Sequence, residues 1–240
     1  MPSTNRRLPV YLVLDMSGSM NRQGRFEQVV NALQLFESSV KSNPHALETA
    51  YISIITFAET AQRVTPLTEA GGFTCPNLPR PSYNQNGNSS LYSALKLVTS
   101  CAEKDTKRST PTQKGDWKPS VYILTDGFPT DSAMKGEALK KFKGFNWGTV
   151  VACAAGEHRI TRQLFEISDN VIYLDVADSS AISDFFEWVS DSISLTSEKI
   201  GDNTNSQDEF FPQTSGNIHR QQPKTDCDSE SNGIKIIKLF

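Results

Sequence analysis

The stretch Leu8-Pro-Val-Tyr-Leu-Val-Leu-Asp-Met-Ser-Gly-Ser-Met20 decides the fold. Its first eight residues are a continuous apolar run that closes on a carboxylate. A run of that length, with no polar alternation, predicts a strand over 8–15 buried on both faces, the position strands take in parallel sheets covered by helices. The polar Gly-Ser turn that follows leads into a helix over 25–41, where Phe26, Val29, Val30, Leu33, Phe36 and Val40 form one stripe at spacings of three and four. Asn43-Pro44 marks its end.

Outward from there, strands and helices alternate. Residues 51–58 and 62–67 read as strands joined closely enough to form a hairpin, so the second runs antiparallel, with Pro66 suited to a sheet edge. A Gly/Pro/Asn-rich stretch spans 71–88, long enough to suggest a functional loop. A helix over 90–107 follows, then a strand at 121–126, a helix around 132–145 and a strand at 149–155. A helix at 160–168, a strand at 170–176 and a helix over 179–199 complete the pattern. The alternation predicts an α/β fold: a doubly wound, Rossmann-like, mostly parallel sheet of about six strands with one antiparallel edge strand and helices on both faces. Strand order reverses between 8–15 and 121–126, and ligands of such sheets bind at the carboxyl ends beside that reversal. Asp15 and Asp126 stand at those two ends.

Composition narrows the function. With 240 residues the chain can bury about 70–75% of its unfolded surface and needs no disulfide or structural metal to hold a core. Twenty-four basic against 27 acidic residues give a net charge of −3, which argues against nucleic-acid binding through phosphate neutralisation. The apolar run at 10–14 is too short for a signal-peptide core or a membrane span. Neither a membrane nor a secretory route is expected, and the cytoplasm is. Cys75, Cys101, Cys153 and Cys227 show no metal-ligand spacing and read as free thiols. The domain is expected to end near 200. Residues 201–240 read as a polar, flexible tail with a short β-prone end, Ile234–Phe240, which either stays disordered or docks as a strand. The serines and threonines of the tail could accept phosphate.

The chemistry gathers in Asp15-Met16-Ser17-Gly18-Ser19. Alternation along a sharp turn brings one carboxylate and two hydroxyls toward one point. These are hard oxygen donors, suited to Mg²⁺ or Mn²⁺ rather than zinc or copper. One loop cannot supply six ligands. Asp126, in Leu-Thr-Asp-Gly, and Ser89, before the helix at 90, lie at the same end of the sheet. Ser89 could instead cap that helix, and Ser90 competes for either job. Asp131 or Ser132 most simply caps the next helix.

This DxSxS pattern, joined to Leu-Thr-Asp-Gly, resembles the von Willebrand factor A domain and its metal-ion-dependent adhesion site (MIDAS). The resemblance assigns Ser17 and Ser19 to direct coordination, and Asp15 and Asp126 to coordination largely through water. Ser89 stands where the family usually has threonine. Over about 6–200, motifs such as Gln-Lys-Gly-Asp-Trp-Lys-Pro and Leu-Thr-Asp-Gly-Phe-Pro-Thr-Asp look like bacterial stand-alone A-domain proteins of the tellurite-resistance type. That likeness implies a cytosolic stress-response setting, beside a Ser/Thr kinase and a PP2C-type phosphatase. A protein partner would offer Asp or Glu to the metal, with Tyr83, Phe73 and Phe128 as aromatic anchors or as ordinary loop packing. The rival reading is a Mg²⁺-dependent phosphatase with Asp15 as nucleophile. That chemistry usually wants a second carboxylate at the position of Ser17. His158, after a strand's carboxyl end, is the one histidine that could serve as a base, or is an ordinary loop residue. Trp117 precedes a strand, and so lies at the opposite end of the sheet, as a plug or a second contact surface.

Overall fold

The computed structural model describes residues 6–82, 88–156, 161–175, 180–201 and 218–221. In chain order the strands are β1 (Leu8–Asp15), β2 (Ala50–Phe57), β3 (Ala61–Glu69), β4 (Ser120–Thr125), β5 (Thr149–Ala155), β6 (Val171–Leu174) and β7 (Ile218–Gln221). The helices are α1 (Arg25–Ser42), α2 (Pro44–Thr49), α3 (Leu91–Asp105), α4 (Lys135–Gly144), α5 (Thr161–Leu164) and α6 (Ala181–Gly201). Short 3₁₀ turns occupy 18–24, 70–72 and 132–134.

The sheet order is β3-β2-β1-β4-β5-β6-β7. β1 pairs in parallel with β2 and β4, so the chain reverses its winding direction between β1 and β4, as expected. β3 runs antiparallel on the outer edge of β2. Its register slips between Thr68 and Arg63, so Pro66, which has no N–H to donate, falls in the irregular stretch.

Alternation along β1 divides the core. Val10, Leu12 and Leu14 face a layer built by α1 and α6, with Phe36, Phe186 and Val189. Tyr11 and Val13 face a layer built by α3 and α4, with Leu95, Val98 and Phe142. Both layers are needed before a strand can be apolar at every position, and every residue of β1 is buried.

Two elements go beyond the sequence reading. Asn43-Pro44 stops α1 but also starts α2: Asn43 Oδ1 accepts from Ala46 N at 2.9 Å, and Pro44 takes the first helical turn, where its missing N–H costs nothing. The tail supplies β7, which pairs antiparallel with β6 from Val171↔Gln221 to Leu174↔Ile218 and adds a seventh strand at the second edge. The end at 234–240 lies outside the described residues.

Candidate functional site

β1 delivers Asp15 to the carboxyl end of the sheet, fully buried. Met16 N still bonds Phe57 O, at 2.7 Å, before the chain turns. Ser17 N donates to Asp15 Oδ1 at 2.8 Å, a two-residue side-chain turn that bends the loop back over its own carboxylate. Met16 and Met20 are buried beneath it. The turn sets Ser17 Oγ 2.9 Å from Ser19 Oγ, and Ser19 Oγ donates to Asp126 Oδ1 at 2.5 Å.

The third stretch arrives with Ser89. Its backbone is fastened to the loop after β4: Thr130 N donates to Ser89 O at 2.9 Å, and Ser89 N to Thr130 Oγ1 at 3.0 Å. Its hydroxyl donates to Asp15 Oδ2 at 3.1 Å. Ser90 turns away, giving its hydroxyl to Glu59 O at 2.6 Å. Neither serine caps α3 through its side chain. That task falls to Asp131, whose carboxylate accepts from Tyr92 N, Ser93 N and Ser93 Oγ. Asp131 therefore caps the helix across the loop, not the one that follows it as the sequence reading expects.

Two participants were not anticipated. Thr125, the last residue of β4, donates its hydroxyl to Asp15 Oδ2 at 2.6 Å. Arg25, the first residue of α1, pairs its guanidinium with Asp126 Oδ2 at 2.7 Å; the Asp126 side chain is 0% exposed and that of Arg25 11%. A basic residue at a helix N-terminus opposes the helix dipole, and that misfit is the sequence signal that could have flagged it. Burial, and then the charge of Asp126, push the Asp15 carboxyl up to about 6, against hydrogen bonds from Thr125 and Ser17 that favour the ionised form.

Five oxygen-bearing side chains from three loops thus form one bonded cluster: Ser89, Asp15, Ser17, Ser19 and Asp126. The donor set is entirely hydroxyl and carboxylate and fits a hard divalent cation. The same chemistry explains why no group of three or more His, Cys, Asp or Glu that could hold a metal occurs among the described residues. Both Asp15 oxygens are engaged by donors inside the protein, whereas an aspartyl nucleophile must present one to substrate.

The surroundings divide the remaining assignments. Phe128 is 42% exposed beside the site. Phe73 is 1% exposed and packs edge-to-face on Phe36 at 6.1 Å, so it belongs to the core and is no surface anchor. Tyr83 and His158 lie outside the described residues. Pro81, in the described part of the 71–88 stretch, reaches the site loop, where Asn21 Nδ2 donates to Pro81 O at 3.0 Å. Cys75 Sγ donates to Leu33 O, and burial followed by Glu37 pushes its thiol up to about 12, the opposite of a reactive cysteine. Trp117 is half-buried against the core under the Arg6 guanidinium, 3.9 Å from its ring centre, as a plug would be.

A family model described as von Willebrand factor type A domain matches residues 10–128. No curated protein is significantly similar in sequence. Among solved structures, a von Willebrand factor type A protein from Catenulispora acidiphila is similar at a TM-score of 0.57 and 17% identity, over 79% of this chain and 43% of the other. The pilus adhesin SpaC from Lactobacillus rhamnosus GG gives 0.63 and 17%, over 80% and 31%. Proximal thread matrix protein 1 from the mussel byssus, solved with a zinc-occupied MIDAS motif, gives 0.51 and 15%, over 82% and 47%. The chain spans less than half the length of each of these proteins. At such identities the likeness concerns the fold, which agrees with the match of residues 10–128 to the von Willebrand factor type A domain.

Proposed function

We propose that the protein is a divalent-cation-dependent protein-binding module. Asp15, Ser17, Ser19, Ser89 and Asp126 hold Mg²⁺ or Mn²⁺, and the loaded site captures a carboxylate from a protein partner. The observation that carries this reading is the convergence of oxygen donors from three sequence-distant loops into one hydrogen-bonded cluster at the carboxyl end of β1 and β4. The zinc-occupied motif of the mussel protein, a domain of similar fold, supports metal binding at a site of this kind.

When bound, the cation supplies positive charge to which an acidic side chain is drawn. The chain's own residues do the rest. The Ser17 and Ser19 hydroxyls would supply lone pairs to the cation and the buried carboxylates would balance its charge, while Thr125 fixes the orientation of Asp15. Phe128 offers apolar surface beside the site, and Tyr83 is the second proposed anchor. The likeness of the sequence motifs to the tellurite-resistance type supports an adaptor of the bacterial cytoplasm, serving a Ser/Thr kinase and a PP2C-type phosphatase in stress signalling. No helix among the described residues is long and apolar enough to cross a membrane.

The test is calorimetric titration with MgCl₂ and MnCl₂ of the wild type and of Ser17→Ala/Ser19→Ala. Heat from the wild type and none from the folded double variant is expected. A wild type that binds neither ion overturns the reading.

A further inference from the structure

Arg25 is the one described basic side chain that pairs with an acid of the cluster, and its position is built rather than incidental. Gln23 and Gly24 both adopt left-handed backbone (φ 55 and 68), so α1 begins with its first side chain turned back toward the end of the sheet. No Cβ clash explains Gly24, since nothing lies within 4 Å of one built there; the requirement is conformational. Gln23 Oε1 then accepts from one Arg25 terminal nitrogen at 3.1 Å, while the other donates to Asp126 Oδ2. The arginine is held against the positive pole of its own helix, a placement that costs free energy unless an acid repays it.

We propose that Arg25 is a resident counter-cation of the metal site, setting its affinity for divalent ions below what its two carboxylates alone would give. The proposal rests on the metal-binding reading above. Charge decides it. Asp15 and Asp126 offer an incoming cation two negative groups; Arg25 has already matched one of them, and its own positive charge repels the ion at short range through a poorly hydrated interior. Asp126 Oδ1, bonded to Ser19, remains on the side of the cluster, while Oδ2 is committed to the arginine. The arrangement keeps a buried acid compensated when no metal is bound, and it makes the ion compete against a group that cannot diffuse away.

The experiment compares wild type with Arg25→Met, which keeps the apolar stem, and Arg25→Lys, which keeps the charge. Mn²⁺ and Mg²⁺ are titrated calorimetrically, and thermal midpoints are read in EDTA and in saturating metal. The expected result is that Arg25→Met binds metal at least about tenfold more tightly, with Arg25→Lys close to wild type. The Met variant melts lower than wild type in EDTA, and metal raises its midpoint by more. Should Arg25→Met not fold, Arg25→Gln carries the same comparison. Equal or weaker metal binding by the neutral variant, with wild type binding normally, overturns the proposal and makes Arg25 a residue that only positions Asp126. Failure of every form to bind metal removes the site itself, and the proposal with it.

Discussion

At the amino end of the sheet Asp105 and Asp116 each have an arginine of their own, while at the carboxyl end Arg25 pairs with Asp126 and leaves Asp15 to hydroxyl and amide donors. Asp116 accepts from Arg7 Nε at 2.9 Å, from an Arg7 terminal nitrogen at 2.6 Å and from Lys107 N at 2.7 Å. Asp105 takes Arg63 at 2.6 Å and the Tyr11 hydroxyl at 3.0 Å. Gly115 lets the backbone close over this latch: a Cβ there would stand 2.5 Å from Ser109 N and 2.6 Å from Lys107 O. Charges balance, and the groups are locked together. At the other end hydroxyls do most of the satisfying, and one carboxylate, Asp15, has no cation bonded to it among the described residues. Hydroxyls can turn from donating to a carboxylate to offering their lone pairs to a metal, which guanidinium groups cannot do. The contrast separates acids that brace the fold from the acids to which we assign the proposed cation site.

The largest effect should come from breaking the Arg25–Asp126 pair. Asp126→Ala leaves Arg25 buried without its acid, and about 3–5 kcal/mol of stability should be lost in EDTA, read by urea denaturation. Asp116→Ala at the opposite end should cost less, about 1.5–3 kcal/mol, because Arg7 can reach solvent. Metal withdrawal sharpens the contrast. With the ion at about 100 times its dissociation constant the wild type should gain about 2.7 kcal/mol. That increment should vanish in Ser17→Ala/Ser19→Ala and persist in Asp116→Ala. Thr125→Val, nearly isosteric, deprives the buried Asp15 of one donor and should cost about 1–3 kcal/mol by the same denaturation assay. The smallest effect concerns Cys75, remote from both acid clusters. Because its thiol is raised to about 12, its thiolate fraction at pH 8 lies far below that of an ordinary cysteine. Alkylation in the native state should therefore be slow and still climbing at pH 9, with urea accelerating it sharply. Fast native labelling would contradict the burial described here.

Much of this was legible because it follows from local pattern. A strand covered on both faces must be apolar throughout, which exposes β1 and its terminal carboxylate at once. The strand-end acids and the serine turn could be read for the same reason, since topology places them before any contact is known. Arg25 could not. The hydrophobic stripe of α1 tells which face packs inward, but the aim of its first residue depends on two left-handed residues upstream, and left-handed Gln23 leaves no trace in composition. Thr125 hid within a strand where threonine is unremarkable. Phe73 misled because a Pro/Gly-rich neighbourhood suggests surface, whereas its ring reaches back to Phe36. β7 escaped notice because Ile-His-Arg-Gln has no apolar period and is held by backbone bonds to a strand more than 40 residues earlier.

That last strand also bears on how copies of this protein keep apart. β6 has β5 on one side and β7 on the other, so its outward-facing amides and carbonyls are already engaged. A chain cut after Gly201 would lose this cover and present an open ladder of the kind that recruits any passing extended segment. It should self-associate, or swap strands, at concentrations where the intact chain does not. The polar stretch that looks most dispensable is then the guard on the sheet's margin.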